Sequence, residues 1–241
     1  MHCHVDLMDN MEEFINKALQ EKINLLAMTT TPKAFEIEQK KLEAYPNVRV
    51  SLGLHPQLVL DRYVEVALVE EFIHTTKFVG EIGLDFSKQF ISSKDRQILV
   101  FKQIIEWCQQ SPKKILSIHS VRADKDVLAI LEKYNCPNDN ACVLHWYSGS
   151  PKQLDRAIEL GCFFSINDYM INSPNGRSII QKIPCERLLL ESDAPFISNV
   201  RTVGQLKRML NHCISELNII KGEDASLMIT ETSHRLLKNF R

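Results

Sequence analysis

Repeatedly along this chain a short apolar run gives way to a segment of helical periodicity, and that alternation restricts the fold more than any other feature. The apolar runs begin at Met1-His2-Cys3-His4 and recur at Ile23 to Thr30, Val48 to Leu54, Phe78 to Asp85, Ile115 to Ile118, Ala141 to Leu144, Cys162 to Ile166 and Arg187 to Glu191. Between them, apolar residues fall at helical spacing: Met11, Phe14, Ile15, Ala18 and Leu19 first, then Lys33 to Ala44, Tyr63 to His74, Ser92 to Gln109 and Asp124 to Tyr134. Pro151 opens a further helix that Gly161 closes, a short one lies near Gly176 to Ile183, and Val203 to Leu217 and Ala225 to Phe240 finish the chain. Ser92, with Asp95 three residues on, predicts a capped start for the longest helix.

Eight such units in 241 residues fit one domain, 1–241, built as an α/β (β/α)8 TIM barrel; a doubly wound open sheet is the competing layout. The placement of histidines and acids decides between them. His2 and His4, His55, Glu81, His119, His145 and Asp193 lie on six different strands, mostly at or just past the C-terminal end. In a barrel those ends form one mouth, whereas in an open sheet six strand ends do not converge on one site.

The opening His2-Cys3-His4-Val5-Asp6 puts His2, His4 and Asp6 at alternate positions, on one face of an extended strand. Two imidazoles on one rigid strand make half of a metal shell. Five of the eight histidines occupy strand-end positions, while His74, His212 and His234 sit among polar helical neighbours and read as surface residues. A buried set of this kind is costly to desolvate unless cations compensate it. It suits two-metal hydrolysis: Glu81 bridges two divalent cations, one completed by His2, His4 and Asp193, the other by His119 and His145, and Asp193 orients the attacking water or takes its proton. Carboxylates favour Mg2+ or Mn2+ and imidazoles Zn2+ or Mn2+, so the ligands leave the metal open among these.

A formal net charge of -1 gives no general attraction to nucleic acid or to a membrane surface, so a polyanion would have to be held locally. Lys33, Lys88, Arg122, Lys125 and Arg177 are candidates for such a local patch. The seven cysteines are odd in number and form no CxxC pair, which points to reduced thiols. With no leader and no run long enough to span a bilayer, a cytoplasmic location without a membrane partner is expected.

The HxHxD opening, Gly53-Leu54-His55-Pro56, Gly80-Glu81-Ile82-Gly83-Leu84-Asp85, Ile118-His119-Ser120, His145-Trp146-Tyr147-Ser148-Gly149 and Glu191-Ser192-Asp193-Ala194-Pro195-Phe196 together resemble the TatD family of metal-dependent deoxyribonucleases, in the amidohydrolase superfamily. Within it, Thr29-Thr30-Thr31-Pro32-Lys33-Ala34, Ser117-Ile118-His119-Ser120 and Leu144 to Ser150 resemble the TatD-like member of the Qat anti-phage defence system. The resemblance implies a TIM barrel, two divalent metals, hydrolysis of DNA phosphodiesters, often from the 3′ end of single strands, and partners among the other Qat proteins. It implies the ligand roles given above and places His55 near the substrate phosphate.

The chain departs from the family pattern in two places. The family's arginine after the fifth strand is displaced by one, to Arg122, so its phosphate contact is in question. Trp146 stands where many members have cysteine, and its ring suits stacking on a base or packing at the rim. Two other readings stay open at this level: a hydrolase of small amides or esters using the same metals, and a binding subunit of a defence complex with catalysis lost.

Overall fold

The computed structural model describes residues 2–222 and 224–239, and the fold is a (β/α)8 barrel. In chain order the elements are β1 (His2–Cys3), α1 (Met11–Gln20), β2 (Leu25–Met28), α2 (Pro32–Leu42), β3 (Val48–Ser51), α3 (Val59–Arg62), α4 (Val66–Phe72), β4 (Phe78–Asp85) and α5 (Lys94–Gln110). The second half continues with β5 (Ile115–Val121), α6 (Asp124–Lys133), α7 (Cys136–Asp139), β6 (Ala141–His145), α8 (Pro151–Glu159), β7 (Phe163–Ile166), α9 (Asp168–Asn172), α10 (Pro174–Lys182), β8 (Leu188–Leu190), α11 (Val203–Lys221) and α12 (Ala225–Asn239). Phe240, expected to end the last helix, lies outside the described residues.

All pairings are parallel, in the orders β1-β2-β3 and β4-β5-β6-β7-β8. Two seams join these arcs. Leu52 N donates to Phe78 O at 2.9 Å and Gly80 N to Leu52 O at 2.8 Å, so β3 meets β4. His4 N donates to Ala194 O at 2.8 Å and Asp193 N to His2 O at 3.1 Å, so the start of the chain meets the segment after β8. Close approach at the β3–β4 seam requires glycine: a Cβ on Gly53 would lie 2.0 Å from the Thr29 carbonyl oxygen and 2.6 Å from Glu81 N.

Helices cover the outside by the usual periodic burial. On α5, Val100, Phe101, Ile104, Ile105 and Cys108 turn inward, each large side chain stabilising by roughly 1.5–3 kcal/mol through burial. Helix starts follow side-chain chemistry. Thr31 caps α2 ahead of Pro32, Ser150 caps α8 ahead of Pro151, and Thr202 with Gln205 forms a capping box on α11.

Three local expectations are corrected. The first strand is only two residues long, and the chain turns into a 3-10 turn at Val5–Leu7, so Asp6 is exposed and does not share the face of His2 and His4. The start of α5 is not capped by Ser92; a 3-10 turn at Ile91–Ser93 leads in, and Ser93 Oγ instead bonds Phe90 O and Gln97 Nε2. The helix expected over Tyr63 to His74 is broken by 3-10 turns at Tyr63–Glu65 and Ile73–Thr75. At the first break Glu65 turns inward and accepts a bond from Lys33 N at the start of α2, a tertiary contact that a periodicity cannot register.

From the N-terminal ends of the strands, a pocket of about 530 Å³ open to solvent reaches into the barrel beneath the histidines, its walls including Leu26, Met28, Phe78, Leu116, Leu189 and Leu236. Ser117, Ser165 and Glu191 form part of its polar boundary.

Glu38 on α2 is buried, and its Oε2 has no hydrogen-bond partner among the described residues. Burial, reinforced by the charge of Asp6, pushes its carboxyl up to about 8. The fold therefore accommodates the neutral acid: that stability is complete below the ordinary carboxyl range and is lost as pH rises towards and past about 8. Replacing Glu38 by Gln is expected to raise Tm at alkaline pH by at least about 2–4 °C, the shift that 1 kcal/mol produces in a protein of this size, with a much smaller gain near pH 5. Thermal unfolding at the two pH values checks this, and an equal gain at both would contradict it.

Candidate metal centre

Residues spread from position 2 to position 193 meet in one buried cluster at the barrel mouth. His2 lies on β1 and His4 directly after it; Glu81 sits within β4; His119 lies on β5, which runs on past it to Val121; His145 ends β6; and Asp193 follows β8. His2, His4, Glu81, His145 and Asp193 are deeply buried, His119 is nearly so, and His55, just past β3, is half-buried. The residues immediately after β5 and β6, Arg122 and Trp146, and Asp193 beyond β8 all have positive φ, at 53°, 42° and 45°. Such backbone costs of order 1–3 kcal/mol per residue, so the surroundings must hold each of these side chains where it is.

The donors divide around Glu81. His2 Nε2 lies 3.4 Å from His4 Nε2 and 3.4 Å from Asp193 Oδ1, and His4 Nε2 lies 3.6 Å from Asp193 Oδ1. Glu81 Oε2 is 3.7 Å from each of the two imidazole nitrogens. Donors arranged tetrahedrally about 2.1 Å from one cation stand about 3.4 Å apart, so His2, His4 and Asp193 have the dimensions of a single metal shell, with Glu81 Oε2 within reach of both imidazoles. The other oxygen, Glu81 Oε1, faces a second group: His119 Nδ1 at 2.7 Å, His55 Nε2 at 3.2 Å and His145 Nε2 at 3.5 Å.

Behind the donors stands a layer that fixes ring orientation. His119 Nε2 meets Asp85 Oδ2 at 3.1 Å, His145 Nδ1 meets Glu191 Oε2 at 2.8 Å, and His2 Nδ1 meets Ser117 Oγ at 3.1 Å. Glu191 is itself held by Ser165 Oγ and by Asn167 Nδ2, and Asp85 accepts from Gln57 Nε2 at 2.7 Å and Ser87 N at 2.9 Å. A histidine whose far nitrogen is bonded to a carboxylate presents the near one as a basic, oriented donor. Glu191 also groups with His2 and His145 as a possible donor set. With His145, Ser165 and Asn167 already on its two oxygens, it serves as an anchor for His145. His55 differs from the other rings, since its Nδ1 accepts from Gln57 N at 3.3 Å. That leaves Nε2–H as a hydrogen-bond donor pointing into the site.

Charge balance supports the same division. Burial opposes ionisation of Glu81, yet the facing imidazoles of His55, His145 and His119 outweigh it and hold the carboxyl well below its usual range. Burial likewise opposes protonation of His4 and His145, but the facing carboxylates raise them to about 9 and about 10. His2 is driven the other way by burial and by His145. Protons on His4 and His145 and bound divalent cations are thus alternative ways of neutralising the same buried carboxylates, and cation binding must displace those protons.

Other expected contacts fall outside this cluster. Arg122 is exposed and makes no ion pair among the described residues. Trp146 is half-buried, with its ring against His145 and Tyr169. Lys33, Lys88 and Lys125 are exposed, whereas Arg177 is taken up by Glu216 at 2.6 Å and so does not serve the basic patch expected of it. Sequence reasoning gave no role to Asp85 or Glu191. The second was accessible, because Glu191 and Asp193 stand two apart in one string, the spacing that puts side chains on one face.

A family profile described as "TatD related DNase" matches residues 1–241. The human protein named deoxyribonuclease TATDN3 is 24% identical over 265 residues, an alignment covering 99% of this chain and 93% of that one. A Pantoea ananatis protein named 3'-5' ssDNA/RNA exonuclease TatD is 26% identical over 244 residues, covering 95% and 92%. Among solved structures, the TatD homologue YJJV from Escherichia coli superposes with a TM-score of 0.83 at 23% identity, covering 98% of this chain and 96% of that one.

Substituting Glu191 by Gln removes the charge that orients His145 while keeping the shape. Its expected effect is a loss of about 10–100-fold in divalent-metal affinity on the His119 and His145 side, measured by calorimetric titration of the chelator-treated protein. Affinity within twofold of the unaltered protein would show that Glu191 does not act through His145.

Proposed function

Because the chain belongs to the family of TatD-related DNases, we propose that it is a metal-dependent deoxyribonuclease, one catalytic domain spanning 1–241, that hydrolyses phosphodiester bonds of single-stranded DNA at or near 3′ ends. The observation that carries this reading is the two-faced Glu81, whose oxygens address separate donor sets. His2, His4, Asp193 and Glu81 Oε2 would hold one cation, and Glu81 Oε1, His119 and His145 the other. Bound there, Mg2+, Mn2+ or Zn2+ would supply Lewis acidity to a phosphate oxygen and lower the pKa of a water.

The chain's own residues do the rest. Asp193 takes the proton of the attacking water as that water's oxygen bonds to phosphorus. The P–O bond to the departing sugar oxygen breaks, and that oxygen takes up a proton from solvent. His55, with Nε2–H aimed inward, donates to a non-bridging phosphate oxygen. Arg122 at the rim neutralises a neighbouring phosphate, and Trp146 offers its ring to a base. Asp85 and Glu191 hold His119 and His145 in place.

The single-strand preference is supported by the ring at the mouth and by the printed name of the Pantoea ananatis relative. We place the enzyme in anti-phage defence, with the other Qat proteins as partners, on the strings it shares with the TatD-like member of that system. Cytoplasmic action fits the seven cysteines, and among the described residues no helix is long and apolar enough to cross a membrane.

End-labelled single-stranded DNA incubated with Mg2+, Mn2+ or Zn2+ should be shortened progressively, and a chelator should stop the reaction. Glu81→Ala should lower kcat by at least about 100-fold, the scale on which loss of one preorganised electrostatic element is felt. DNA left intact under all three metals, with a simple carboxylic ester or amide hydrolysed instead, would overturn the nuclease reading.

A further inference from the structure

Six aromatic rings follow one another in contact at the mouth, and the first and last of them are exposed. Phe196 meets His4 with ring centroids 5.1 Å apart, His4 meets His2 at 5.3 Å, His2 stacks on His145 at 4.3 Å, His145 meets Trp146 at 6.3 Å, and Trp146 meets Tyr169 at 5.3 Å. The inner rings are the proposed metal donors. The outer two, Phe196 and Tyr169, are 63% and 61% exposed, although a large apolar ring gains from being covered.

Both exposed rings are keyed to the donors by hydrogen bonds. Phe196 N donates to the carbonyl of Asp193 at 2.9 Å. Tyr169 lies in the first turn of α9, whose N-cap Asn167 accepts from Met170 N at 3.1 Å and donates to Glu191 Oε1 at 2.8 Å, the same carboxylate that orients His145. The two rims are also tied to each other, because Ser198 Oγ donates to Asp168 Oδ2 at 2.5 Å. The rings therefore stand in fixed register with the donors and with each other, on two adjoining loops of the rim.

From this geometry we infer that Tyr169 with Trp146, and Phe196 on the adjoining loop, are stacking surfaces for unpaired nucleobases next to the scissile phosphate. The inference rests on the nuclease reading and adds the substrate feature that the site recognises: the open face of a base. A phosphate set against the donors brings its neighbouring nucleotides within reach of these rings. Within a duplex those faces are covered by adjacent base pairs, so the rings select unpaired nucleotides or frayed ends. Stacking on aromatic side chains tolerates any base, so the selectivity is for strandedness and not for sequence.

The test compares a short single-stranded oligonucleotide with one of equal length whose terminal nucleotides are abasic, so that phosphate charge is constant and only the bases differ. Both carry cleavage-resistant phosphorothioate linkages, and binding is read by fluorescence anisotropy with Mg2+ present. The base-bearing strand should bind about tenfold or more tightly than the abasic one. Tyr169→Ala and Phe196→Ala should each lose most of that difference, whereas Tyr169→Phe, which keeps the ring, should retain it. Equal affinity for the two strands, undetectable binding of both, or a Tyr169→Phe loss as large as that of Tyr169→Ala would overturn the inference. Parallel cleavage of unmodified strands separates the two readings. Equal cleavage of base-bearing and abasic DNA removes the stacking role but leaves the nuclease, and cleavage of neither strikes at the nuclease itself.

Discussion

The whole site depends on closing the barrel between its first residues and the segment after β8. His2 and Asp193 are separated by almost the entire chain, yet the His2 carbonyl receives Asp193 N at 3.1 Å and Ser192 Oγ at 2.9 Å, while His4 N donates to Ala194 O at 2.8 Å. These are bonds between buried groups, so each is expensive to leave unmade, and together they fix the distance between the donors before β2 and the donor after β8. With that seam broken, Glu81 would still have His119 and His145 on one oxygen but nothing on the other.

Closure also concentrates charge. Glu81, Asp85, Glu191 and Asp193 are all buried within one region, an arrangement that only opposite charge and hydrogen bonds can sustain. The protein answers with imidazoles in front and with polar anchors behind: Ser117, Ser165, Asn167 and Gln57 each bond a ring or a carboxylate of the cluster. Ser117, Asp85 and Glu191 take one nitrogen of His2, His119 and His145 respectively and leave the other facing Glu81. Position alone would not separate donors from supports, since Glu191 lies as deep as Glu81. Their separation follows from which atoms are already engaged.

How far this was legible in the sequence follows from the range of the forces involved. The alternation of strands and helices, and the convergence of His2, His4, Glu81, His119, His145 and Asp193, could be read because period and strand-end position are local properties that the barrel turns into proximity. Asp6 was misplaced because alternation along a strand holds only while the strand lasts, and β1 ends at Cys3. The break at Tyr63–Glu65 escaped because it serves a contact with α2, and Arg177 was misread as available because Glu216, its partner, lies on a later helix. Asp85 and Glu191 were quoted within motifs, but their task of orienting another side chain exists only in three dimensions.

The distribution of charge around the mouth bears on how such a centre would hold a polyanion. With formal net charge near zero and Arg177 neutralised, the exposed cations among the residues once considered for the rim are Lys33, Lys88, Arg122 and Lys125. Each phosphate neutralised on a single strand contributes about -0.7 to the slope of log affinity against log salt, so a few contacts supply little binding at physiological ionic strength. A proposed nuclease of this composition must therefore draw much of its affinity from interactions that salt does not screen. Short-range stacking on rings held by the same backbone as the donors is of that kind, and it ties substrate binding to the closure that assembles the site.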